Sequence, residues 1–101
     1  MKKIMLCCSA GMSTKASLVK KMLTEAEKRE LSVEIKAFGT ADFDQQVKNF
    51  QVVLLGPQVK YMLPDLKERA KPFGVPVEPI AISDYGMQRG DKVLDFALSL
   101  I

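Results

Sequence analysis

The run Cys8-Ser9-Ala10-Gly11-Met12-Ser13-Thr14 sets a thiol at the head of a small-residue, hydroxyl-rich loop. It follows the apolar stretch Ile4-Met5-Leu6-Cys7 and opens a helix-patterned segment. A helix N-terminus offers unpaired backbone N–H groups and positive dipole potential, which stabilise both a thiolate and an anion attached to it. A free thiol with a pKa of ~8.5 is a few per cent ionised at neutral pH, and helix N-termini bring cysteines to ~3.5–7.5. Cys8 is therefore a candidate nucleophile and phosphoryl carrier, with Ser9, Ala10, Gly11, Met12, Ser13 and Thr14 as its phosphate-binding loop. Phosphoryl transfer asks mainly for placement and charge stabilisation, which successive N–H groups in a nest supply. Gly11 permits a positive φ, and Ser13 and Thr14 add hydroxyl donors. Met12 serves either loop packing or contact with a docking partner. Cys7 alternates with its neighbours in the strand and is expected to point into the core.

The rest of the composition narrows the chemistry. Histidine is absent, which excludes an intrachain Cys-His dyad, a histidine-ligated metal and an internal phosphohistidine. Activation of Cys8 must come from dipoles, hydroxyls or lysines, and neither a metal nor a cofactor is expected. Two adjacent cysteines cannot staple distant parts of a chain, so both thiols are expected to be reduced. With a net charge of +3, the global field does not suggest nucleic acid. Lys2, Lys3, Lys15, Lys20 and Lys21 all precede the first acidic residue, Glu25. They either set positive potential around the Cys8 loop or form a solvated helix face. At 101 residues, 48% hydrophobic and 27% charged, a single domain over 1–101 is expected. The apolar stretches of four or five residues fall far short of the ~20 that span a bilayer and of a signal-peptide core, so a cytoplasmic chain that keeps its N-terminus is expected.

The elements that must position these residues are legible from periodicity. Residues 3–7 read as a short buried strand, and 14–30 as a helix with Leu18, Val19, Met22, Leu23 and Ala26 on one face. Residues 32–38 alternate as an edge strand through Val33, Ile35 and Ala37. A turn over 39–42 leads to a short helix over 43–49, and 51–55 form a second strongly apolar strand ended by Gly56-Pro57. Residues 59–70 have helical spacing interrupted by Pro64, which implies a kink or two pieces. A loop over 71–76, a strand over 77–82 and a turn over 83–86 follow. Asp91 can cap a last helix that carries Val93, Leu94, Ala97, Leu98 and Ile101 inward. This alternation predicts a three-layer α/β fold, an open four-stranded parallel sheet of order 2-1-3-4 with helices on both faces. Ligands of such sheets bind outside the carboxyl ends of the strands at the point where the order reverses. Cys8, Gly56-Pro57-Gln58 and Ser83-Asp84-Tyr85 should meet there. Lys15, Gln58 and Tyr85 are candidates for its rim. Tyr85 fits half-buried packing equally, Tyr61 is expected in such packing, and Asp84 in a turn or cap.

Cys8 through Thr14, together with Val53-Leu54-Leu55-Gly56-Pro57-Gln58-Val59-Lys60-Tyr61-Met62-Leu63-Pro64, resembles the enzyme IIB component of the lactose/cellobiose (diacetylchitobiose) branch of the bacterial sugar phosphotransferase system. The resemblance covers essentially the whole chain. It implies a relay: phosphate arrives from a phosphohistidine of the IIA protein and is held as S-phosphocysteine on Cys8. It then passes to a sugar, such as the β-linked disaccharides cellobiose or lactose, entering through the membrane permease IIC. It further implies a monomer in transient complexes, cytoplasmic and peripheral to the inner face of the membrane through IIC. Lys15 stands where many relatives carry a small hydroxyl residue. Transient docking steered by lysines such as Lys15 should slow as salt is raised.

The fold and loop also resemble low-molecular-weight tyrosine phosphatases, which use Cys-x5-Arg. Here Thr14 takes the arginine's place, so transition-state charge is less well neutralised and a phosphocysteine would outlast water. The alternatives are a phosphatase-like hydrolase, a non-catalytic thiol sensor built on Cys7 and Cys8, and a docking module without chemistry.

Overall fold

The computed structural model describes residues 2–8 and 13–101, apart from the side chains at 8, 13–16, 40 and 58. Strand β1 (Lys2–Cys8) lies at the centre, because Ile4, Met5, Leu6 and Cys7 are apolar on both faces and each face must be covered. It pairs in parallel with β2 (Val33–Gly39) on one side and β3 (Val52–Leu55) on the other, and β4 (Val77–Pro79) extends the sheet beyond β3. The order is β2-β1-β3-β4, as the apolar content of the strands predicted.

Period-two alternation divides the core between the two faces. Ile4, Leu6, Ile35, Val52 and Leu54 face helix α1 (Ser13–Lys28), which contributes Leu18, Met22 and Ala26, and helix α5 (Gly90–Ser99), which contributes Val93, Leu94 and Ala97. Met5, Cys7, Val53 and Leu55 face helix α2 (Phe43–Gln46) through Phe43, and helix α3 (Leu63–Ala70) through Leu66 and Ala70. Cys7 is fully buried, as its place in the alternation predicted.

Gly90 opens α5 against the backbone of α1. A Cβ at that position would stand 2.7 Å from the Lys21 carbonyl carbon and 2.8 Å from the Met22 nitrogen. Beyond the end of α1, Arg29 bonds both carboxylate oxygens of Asp95 on α5 and pairs with Glu25 at 3.2 Å. This guanidinium, chiefly by hydrogen bonding, holds the Asp95 carboxyl below the usual carboxylate range.

Several boundaries differ from the periodicity. Leu23 is 40% exposed because it lies off the stripe through Leu18, Met22 and Ala26, and Ile101 is 43% exposed beyond the end of α5. Residues 59–70 do form two pieces, but the break precedes Pro64. A 3-10 segment (Pro57–Met62) is interrupted at Val59, and Pro64 sits in the first turn of α3, where its missing N–H leaves no bond unmade. β4 stops at Pro79 rather than 82, and the expected turn over 83–86 is part of a short helix α4 (Ile82–Gly86). Asp91 is not the cap of α5. Arg89 is the N-cap residue, and Asp91 lies in the first turn, where Arg89 bonds its carboxylate at 3.3 and 3.4 Å and lowers its pKa.

Candidate functional site

Cys8 is the last residue of the central strand. Its register partner on β2 is Gly39, the last residue of that strand. On the other side Cys7 is level with Leu55, and the Gly56 N–H donates to the Cys7 carbonyl at 2.9 Å. Leu55 is level with Pro79, and the Ile80 N–H donates to the Leu55 carbonyl at 2.8 Å. The carboxyl ends of all four strands thus form one edge, with Cys8 at the reversal of strand order between β1 and β3.

Four residues separate Cys8 from the first residue of α1, a helix of 16 residues. A connection so short keeps the helix N-terminus at the carboxyl edge of the sheet. The first turn of α1 carries no acidic residue to oppose the positive pole, and its last turn ends in Lys28, which suits the negative one. Ser13, Thr14 and Lys15 occupy that first turn, and Gln58 lies in the 3-10 segment directly after Gly56. Ser9, Ala10, Gly11 and Met12, and the side chains of Cys8, Ser13, Thr14, Lys15 and Gln58, lie outside the described residues.

The loops after β3 and β4 do converge. Lys60 shares a cavity of about 480 Å³ with Ser83, Asp84 and Phe96. Asp84 lies within α4, and its carbonyl accepts the Arg89 N–H at 2.8 Å. The two tyrosines differ in burial. Tyr85, a candidate for the rim or for packing, is 5% exposed and belongs to the α1/α5 core, on the helix α4 that packs against α5. Tyr61, expected in half-buried packing, is 80% exposed.

Of the lysines expected near the loop, Lys2 and Lys3 lie at the opposite edge. They begin β1, where the Lys3 N–H meets Gln51 Oε1 at 3.0 Å, and six residues of strand rise span about 20 Å to Cys8. Gly56 stands beside the end of β1, as expected of the loop after β3, whereas sequence reasoning missed Lys60 at the carboxyl edge and Gly39 as the other flank of Cys8. Gly39 read as a turn residue because it ends the alternating stretch, and register alone puts it beside the cysteine.

Adjacent residues joined by a trans peptide have Cα atoms about 3.8 Å apart, short of the roughly 4.4–6.8 Å of ordinary disulfides. No peptide among the described residues is cis, so β1 in its paired register does not suit a Cys7–Cys8 disulfide. Among the described residues no cluster of three or more His, Cys, Asp or Glu side chains is arranged to hold a metal, and no helix is long and apolar enough to cross a membrane.

An open parallel sheet of order β2-β1-β3-β4, with a cysteine closing the strand at its switch point and a helix following, defines a doubly wound α/β domain. The model of the family described as "PTS system, Lactose/Cellobiose specific IIB subunit" matches residues 3–96. The chain belongs to that family, the IIB components of the sugar phosphotransferase system. It is 44% identical to the PTS system galactose-specific EIIB component of Lactococcus lactis subsp. cremoris, over 99% of this chain and 96% of that protein. To the PTS system cellobiose-specific EIIB component of Lactococcus lactis subsp. lactis it is also 44% identical, with the same coverage of each. Among solved structures, the cellobiose-specific phosphotransferase IIB component protein from Borrelia burgdorferi superposes with a TM-score of 0.81 at 37% identity, over 98% of this chain and 90% of that one.

Proposed function

We propose that this chain is a single IIB domain over 1–101 that carries a phosphoryl group on Cys8. The thiolate attacks the phosphorus of a phosphohistidine on the IIA protein. The S–P bond forms as the N–P bond breaks, and the imidazole nitrogen keeps the electron pair. In the second step a sugar hydroxyl attacks the same phosphorus: the O–P bond forms as the S–P bond breaks, the hydroxyl proton passes to solvent, and the sulfur keeps the electron pair as a thiolate. The acceptor is a β-linked disaccharide such as cellobiose or lactose, held by the membrane permease IIC. The two relatives at 44% identity carry different sugar names, so similarity to them does not choose among sugars. The domain works as a monomer in transient complexes at the cytoplasmic face of the membrane.

The observation that supports this reading most is the placement of Cys8 at the switch point, four residues ahead of a long helix whose first turn bears no acid. In the proposed loop the N–H groups of Ser9 to Thr14 cradle the phosphate, Ser13 and Thr14 add hydroxyl donors, and Lys15 and Gln58 border it. Thr14 at the sixth position after Cys8 supplies no guanidinium, which favours a persistent phosphocysteine over hydrolysis.

The test is incubation with the phosphorylated IIA of a cellobiose-type system, followed by intact-mass and peptide analysis. The parent and Cys7→Ser should each gain one phosphoryl group on Cys8, and Cys8→Ser none. Phosphate that follows Cys7, or steady hydrolysis of an aryl phosphate by the isolated domain, would overturn the reading.

A further inference from the structure

We infer that Gly39 and Gly56 keep a side-chain-free slot on both sides of position 8, and that this clearance admits the phosphoryl group together with the ring that delivers or accepts it. The inference rests on the carrier reading above and adds two residues that govern access to its site. Under α1 and α5 the sheet presents its side chains in rows. The first is Ile35–Ile4–Val52 and the second Ala37–Leu6–Leu54. One step further, Gly39 is level with Cys8, and Gly56 follows Leu55, the register partner of Cys7. The third row is therefore glycine, cysteine, glycine, although both earlier rows carry a side chain at every position.

Register-matched positions on neighbouring strands project to the same face, with strands about 4.8 Å apart. By register, a Cβ at 39 or 56 would belong to the same row of the sheet as residue 8, on the strand to either side of it.

Backbone conformation does not call for glycine at either place. Gly56 has φ −64° and ψ 151°, which any residue adopts, and Gly39 is in regular strand. Among the described glycines a positive φ occurs at Gly74. Glycine gives up more chain entropy on folding than alanine, so where no φ demands it the advantage lies in the missing side chain. Gly56 is buried and Gly39 half-buried, so the two variants probe the slot from the sheet interior and from its edge strand.

The test compares Gly39→Ala, Gly56→Ala and Gly56→Val with the parent. It uses phosphate transfer from the phosphorylated IIA of a cellobiose-type system, thermal unfolding, and the pH profile of iodoacetamide alkylation mapped to Cys8. Each alanine variant should fold, keep the parental midpoint of the alkylation profile, and transfer phosphate about tenfold more slowly or worse. Valine should cost about a hundredfold, in keeping with the sensitivity of transfer to misplacement by an ångström.

Transfer within about twofold of the parent in both alanine variants would overturn the slot. So would a shifted alkylation midpoint, which marks a displaced loop, and so would loss of fold at both positions, which would assign the glycines to packing. A parent that takes no phosphate on Cys8 overturns the carrier reading itself. A phosphorylated parent with unaffected variants overturns the slot alone.

Discussion

Beneath α2 and α3 the side chains stay large to the last row of the sheet, with Cys7 and Leu55 fully buried and Phe43 packed over them. Beneath α1 and α5 the rows pass from isoleucine and valine to alanine and leucine, and then to Gly39, Cys8 and Gly56. The covering helices differ in the same sense. The α2/α3 face is covered by short helices and 3-10 turns held by side-chain packing, with Arg69 bridging Asp44 and Asp65 at the exposed surface. The α1/α5 face brings two helix backbones together at Gly90 and locks the end of α1 to α5 through Arg29 and Asp95. One face fills the core. The other fixes the helix that follows Cys8 and ends its rows in glycine. A strand turns each successive residue to the opposite face, and Cys7 falls to the filling one.

Truncation on the filling face should have the largest effect on stability and the least on transfer. Phe43→Ala is expected to lower unfolding free energy by about 3–5 kcal/mol in urea titrations, a large share of the ~5–15 kcal/mol of an ordinary domain. The phosphate transferred per folded molecule should be unchanged. A matching fall in that rate would break the division between the faces.

Crowding the other face should do the reverse. Gly90→Ala puts a methyl group into the α1 backbone and should cost about 1–3 kcal/mol, or roughly 4–8 °C of melting temperature per kcal/mol. Here transfer per folded molecule should also slow, because α1 must shift to make room. Unchanged transfer in a destabilised protein would show that the site tolerates movement of α1.

The smallest effect concerns the Arg29–Asp95 lock. The folded pKa of Asp95 lies below its unfolded value, so its contribution is complete above about pH 4 and is lost as pH falls through the folded pKa. Asp95→Asn should be slightly less stable at neutral pH and should converge with the parent in acid. Parallel stability curves from pH 7 to pH 2 would remove the lock from the comparison.

The strand order was legible because the first and third strands are apolar on both faces and the second alternates, and burial follows that distinction. The switch point and the strand-loop-helix setting of Cys8 follow from the order. Local details were less legible where tertiary contacts outvoted periodicity. Tyr61 is exposed where half-buried packing was expected, because burial depends on what the tertiary fold lays over a residue, and Leu23 is exposed because the stripe was narrower than its spacing implied. Lys2 and Lys3 are close to Cys8 in sequence but lie at the far edge of the sheet, since an extended strand carries its two ends apart.

Composition and order alone determined that a thiol without any histidine would stand between an apolar strand and a helix, in a parallel α/β sheet whose order reverses beside it. These are properties of local pattern, which short-range sterics and hydrophobic periodicity impose on the chain. Tertiary structure decided which residues stand level with that thiol. Gly39 and Gly56 lie far from Cys8 along the chain and become its neighbours through inter-strand hydrogen bonds, whose register is set by the fit of two cores on opposite faces.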